Sequence, residues 1–122
     1  MDATIKKITA REILDSRGEP TLEVTVCAGD AARGTFSVPA GASKGSHEAA
    51  EKRDGDTAAF RGMGVTSAVA AIEGEINGAL TGANIFDQKK FLLNIHLIKD
   101  EYGIDNYTKI LFFQCCCFLM CQ

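Results

Sequence analysis

The sequence predicts an α+β fold, a three-stranded antiparallel meander followed by helices. Three observations carry this expectation. Apolar and polar residues alternate with period two in the first third, while in the middle they recur every three or four residues. Turn residues separate the segments, and the strand patterns all precede the helical ones.

The segment TIKKITAREIL, 4–14, reads as a first strand that turns through DSRGEP, where Arg17 sits close to Asp15. In TLEVTVC, 21–27, Leu22, Val24 and Val26 share one face, and Thr21, Glu23, Thr25 and Cys27 share the other. GTFSVP repeats the alternation with Phe36 and Val38, and Pro39, which has no N–H to donate, ends it. The short AGDAA between these two strands predicts a hairpin.

Helical spacing begins in GVTSAVAAIEGEINGAL, where Val65, Ala68, Val69, Ile72, Ile76 and Leu80 form one stripe and Gly82 supplies a stop. A second helix is expected over QKKFLLNIHLIKDEY. Asp87 would cap it, Phe86 and Phe91 would staple it, and Gly103 would end it. The charged run EKRDGD reads as a solvated helix end with Gly55 as its stop.

A net charge of −3 in 122 residues carries no basic stripe, which argues against a dedicated nucleic-acid binder. The N-terminal MDATIKKITARE lacks an apolar stretch after its charges, so a cytoplasmic chain with reduced thiols is expected. Of five cysteines, Cys27 stands alone in a strand pattern and Cys115, Cys116, Cys117 and Cys121 crowd the end. Three adjacent cysteines do not converge readily on one tetrahedral ion, and His96 has no histidine neighbour, so no zinc site is expected.

The connection PAGASKG carries the chemistry. Gly41, Ala42, Ser43, Lys44 and Gly45 let backbone N–H groups approach a ligand, and the hydroxyls of Ser43 and Ser46 join the charge of Lys44. Such a segment can cradle a phosphate, touch a hard cation through serine oxygen, or simply join a strand to a helix. It is not a P-loop, because the order is Ser-Lys-Gly and not Gly-Lys-Ser. Neither His47 nor His96 has a sequence neighbour that would make a catalytic pair.

Taken together, AREILDSRGEPTLEVTV, VPAGASKGSHEAAEKRDGD and GMGVTSAVAAIEGEI resemble the N-terminal domain of enolase, phosphopyruvate hydratase, over Ile5 to Phe91. The resemblance implies a Mg-dependent lyase of glycolysis that dehydrates 2-phosphoglycerate to phosphoenolpyruvate with two magnesium ions. It implies that 40–45 form a mobile substrate lid (Ala40, Gly41, Ala42, Ser43, Lys44, Gly45) and that Ser43 supplies oxygens to the second magnesium. His47 matches a histidine near the active site, and Arg11 and Glu23 match positions that pair across the interface of a homodimer. Ala40 and Lys44 depart from the commonest lid sequence, and Lys44 places a positive charge where the lid nears the phosphate. The base, the acid and the carboxylates holding the first magnesium belong in that family to a following barrel of about 250 residues. No catalytic residue is therefore expected in these 122 residues, which are expected to be inactive alone.

The expected organisation is an enolase-like domain over 1–109 and an apolar, Cys-rich tail over 110–122. ILFFQCCCFLMC is too short to span a bilayer, which takes about 20 residues, and no membrane partner is expected. Adjacent cysteine codons, read one base later, become alanine or valine codons, and CAA-TGY becomes an asparagine codon. QCCCF then approaches the Asn-Ala-aliphatic run of the family. The hypothesis is that the tail is an out-of-frame reading, and a coding sequence whose shifted frame gives unrelated residues would dispose of it. Two further readings remain open at this point. One is a non-catalytic module that binds enolase subunits or another protein, and the other is a stand-alone phosphate binder.

Overall fold

The computed structural model describes residues 2–37, 53–87 and 89. Three strands, β1 (Ile5–Leu14), β2 (Pro20–Ala28) and β3 (Ala32–Ser37), form one antiparallel sheet in the order β1-β2-β3. The helical stretch that follows has three parts: α1 (Thr66–Ala71), a π turn over Ile72–Ile76, and α2 (Asn77–Leu80). This is the expected sheet-then-helix arrangement, and no barrel occurs among the described residues.

The Asp15 side chain builds the first turn by accepting the N–H groups of Arg17 (2.8 Å) and Glu19 (2.9 Å). Arg17 then lies 3.6 Å from Asp15 and 3.5 Å from Glu19. Register is continuous from Lys7↔Cys27 to Leu14↔Pro20, but a bulge lies between Ile5 and Lys7. The extra residue lets Ile5 and Ile8, three apart, both enter the core, where they are fully buried.

Leu22, Val24 and Val26 face the helix and are buried with Ile72, Ile76 and Leu80. Phe36 of β3 packs partly against this core, whereas Val38 lies outside the described residues. The opposite face of β2 is less open than alternation alone implies, because Thr21 and Thr25 are also buried. Thr25 occupies a central strand between Thr9 and Thr35, and its hydroxyl bonds that of Thr35 at 2.9 Å.

The helical stripe is as expected: Val65, Ile72, Ile76 and Leu80 are buried, and Ala68 and Val69 pack against them. In an α-helix a residue four positions on overshoots a full turn by about 40°. The wider i→i+5 turn over Ile72–Ile76 takes up that overshoot and keeps Ile72, Ile76 and Leu80 in line. Gly82 ends the stretch at φ 90°, in the left-handed region that glycine favours. Its N–H donates to the Ile5 carbonyl (2.8 Å), and Ile5 donates to Ala83 (2.8 Å). The expected second helix falls mostly outside the described residues, where Phe91 also lies, and Phe86 is exposed. Among the described residues no helix is long and apolar enough to cross a membrane.

Candidate functional site

The segment expected to form a substrate lid, with Ala40, Gly41, Ala42, Ser43, Lys44, Gly45 and His47, lies outside the described residues. The residues on either side of the interval are both held firmly. Ser37 ends β3, and its hydroxyl donates to Glu23 Oε2 at 3.2 Å. On the far side, an Arg53 guanidinium nitrogen donates to the carbonyls of Pro20 (2.6 Å) and Met63 (2.8 Å). Arg53 thereby ties the start of β2 to the turn before α1.

Asp54 does more than its neighbour. Its Oδ2 accepts the N–H (2.9 Å) and hydroxyl (2.6 Å) of Thr66, and its Oδ1 accepts the N–H (2.9 Å) and hydroxyl (2.6 Å) of Ser67. These two N–H groups are orphan donors of the first helical turn, so Asp54 caps α1 from twelve residues away. The hydroxyl of Ser67, then that of Thr66, then the Ser67 N–H hold the Asp54 carboxyl well below the usual carboxylate range. Glu12 on β1 completes the cap by accepting the Val65 N–H at 2.8 Å.

The reading of EKRDGD as a solvated helix end is therefore corrected for its described part. Residues 53–56 are not helical, and Arg53 and Asp54 fasten the chain to β2 and to α1. Sequence reasoning missed both. The available signal was an Asp ahead of a Thr-Ser pair that opens an apolar helical stripe, although the intervening turn hides it.

Arg11 and Glu23 are brought together. They face each other across β1 and β2, and Arg11 Nε donates to Glu23 Oε1 at 2.6 Å. The Arg11 side chain is 71% exposed, on the sheet face turned away from the helix. That face also carries Lys7, Cys27 and Arg33 in one cross-strand row and Thr9, Thr25 and Thr35 in the next.

Among the described residues no group of three or more His, Cys, Asp or Glu side chains could hold a metal ion. Asp54, the nearest of the described carboxylates in sequence to the expected lid, has both oxygens committed to α1. The described hydroxyls that meet a carboxylate, Thr66 and Ser67 at Asp54 and Ser37 at Glu23, serve the start of α1 and the end of β3. The arrangement frames an interval of chain between Ser37 and Arg53.

The family model described as enolase, N-terminal domain, matches residues 5–101, which include every strand and helix described above. That span covers most of the chain and runs past Phe91, where the motif-level likeness loses definition. The meander, the helical stretch after it and this match agree, and the chain belongs to the enolase family through its N-terminal domain.

Proposed function

We propose that this chain supplies the lid-bearing domain of an enolase-type lyase, which removes water from 2-phosphoglycerate to give phosphoenolpyruvate in glycolysis. The family match over residues 5–101 is the observation that carries the reading. The chain's own part is to bring Ser43 and its glycine neighbours over the substrate and exclude water from it. Lys44 adds a positive charge beside the phosphate, and His47 follows on the same segment.

Membership of this family points to magnesium. The described carboxylates do not fit such an ion, because no cluster of three exists among them and Asp54 is saturated by Thr66 and Ser67. The contact with magnesium in this reading is the one that the family resemblance implies for Ser43, which lies outside the described residues. When bound, magnesium supplies positive charge opposite negative charge that develops on the substrate. The 122 residues are inactive alone in this reading and need a barrel domain. The exposed Arg11 and its partner Glu23 fit a homodimer interface, and a cytoplasmic location belongs to the same reading.

The test is a fusion of this chain, in frame, ahead of an enolase barrel, assayed for phosphoenolpyruvate by ultraviolet absorbance with magnesium. The chain alone should give no product. The fusion should turn over, and Ser43→Ala in it should lower kcat by about 10–100-fold, the scale seen when a group that orients a metal ligand is lost. A folded fusion without turnover overturns the reading. Stoichiometric binding of the chain to an intact enolase would then favour an interaction module.

A further inference from the structure

Among the described residues the outer edge of β1 has no named strand beside it, yet the N–H groups of Ile5, Ile8 and Ala10 are taken. Ile5 donates to Ala83, and Ile85 donates back to Ala3 at 3.0 Å, so backbone closes the first part of the edge. Further along the closure passes to side chains of the helical stretch. Ile8 N–H donates to Asn77 Oδ1 at 2.7 Å, and Ala10 N–H donates to Glu73 Oε1 at 3.1 Å.

The spacings match. Two residues along a strand advance about 6.8 Å, and one turn of an α-helix advances about 5.4 Å, so residues one turn apart on a helix can meet donors two apart on a strand. Asn77 and Glu73 are four apart and face donors two apart, with the helix running antiparallel to β1. The π turn contributes here too, since Glu73 lies within it and Asn77 follows directly. Where the next helical position, Val69, offers no acceptor, the direction reverses and Glu12 on the strand accepts from Val65.

An open strand edge is a template for another chain, and proteins cover it with helices, loops or charge. We propose that Glu73 and Asn77 stand in for a fourth strand and block the addition of a second copy of this chain along β1. Glu73 is exposed, so its part in the contact is separable from burial in the core.

The experiment compares the full chain with Glu73→Ala/Asn77→Ala by residue-resolved amide exchange and sedimentation velocity over a concentration series. The amides of Ile8 and Ala10 should exchange at least tenfold faster at low concentration. The variant should also form a dimer that the parent does not form under the same conditions. Glu73→Gln/Asn77→Asp keeps both acceptors and should behave as the parent. Adding Ala10→Pro to the alanine pair removes one edge donor without touching the β1–β2 ladder, and should return the variant to the parent's mass. Faster exchange without dimerisation overturns the proposal, as does unchanged exchange, or a dimer indifferent to Ala10→Pro. Should the alanine pair unfold by circular dichroism, Glu73→Ala alone is read by the same two measurements, with the same outcomes deciding.

Discussion

Asp54 holds Ser67 twice, through the backbone N–H at 2.9 Å and the hydroxyl at 2.6 Å, and holds Thr66 in the same way. All four bonds favour the charged carboxylate, so its folded pKa lies below the ordinary 3.8. A depressed pKa contributes stability that is present above the unfolded value and lost as pH falls through the folded one. Asp2 and Asp15 are shifted in the same direction, Asp2 chiefly by Lys6 and Asp15 chiefly by the Glu19 N–H. Thermal stability should therefore hold from neutral pH to about pH 5 and decline below it. Asp54→Asn should lower Tm by roughly 5 °C at neutral pH and flatten the acid decline. A calorimetric pH series on both proteins checks this, and an unchanged acid limb in the variant would contradict it.

Ile72 and Ile76 project from the π turn into a core shared with Ile8 and Val24. Truncating either to alanine removes three carbons from a filled space and should cost about 2–5 kcal/mol. Urea midpoints should fall accordingly, whereas Glu75→Ala, on the exposed side of the same turn, should change stability by less than about 0.5 kcal/mol.

Gly29 and Gly18 separate backbone strain from collision. Both have positive φ, 56° and 74° respectively, but only at Gly29 would a Cβ run into the Asp2 carbonyl oxygen, while at Gly18 nothing stands nearby. Gly18→Ala should cost about 1 kcal/mol from the left-handed backbone alone. Gly29→Ala should cost clearly more, about 2 kcal/mol or above, because the N-terminal segment must move. Equal costs in denaturant titrations would show that the Asp2 contact is dispensable.

The Arg11–Glu23 pair tests the proposed subunit interface. It is solvated on its arginine side, and surface pairs of this kind contribute less than about 1 kcal/mol to folding. Arg11→Ala should leave the urea midpoint nearly unchanged. In the barrel fusion it should weaken dimerisation at least tenfold in sedimentation equilibrium, and an unaffected dimer would remove Arg11 from the interface.

Much of the fold was legible because its strongest signals are local. The alternation of Leu22, Val24 and Val26 and the stripe from Val65 to Leu80 are each set by neighbours within a few residues. The contacts that close the β1 edge and frame the site were not legible, for a matching reason. Asn77 meets Ile8 across 69 positions, Glu73 meets Ala10 across 63, and Arg53 reaches Pro20 across 33. No periodicity encodes such pairings, which depend on where the packed helix comes to rest. Burial of Thr21 and Thr25 was hidden similarly, since a strand's central place in a sheet is not a property of its own residues. The PAGASKG motif was the reverse case: distinctive in sequence, yet outside the described residues.

The bulge between Ile5 and Lys7 makes chain length negotiable at one point of the sheet. Removing Lys6 would leave Ile5 and Ile8 two apart, which in an unbroken ladder still sends both inward. Removing Thr9 instead would turn Ala10 and every later β1 residue to the opposite face, taking Glu12 from Val65 and Arg11 from Glu23. Relatives that differ in length near this strand should thus carry their gap at the lysines, where a lost residue leaves the two faces of the sheet as they were.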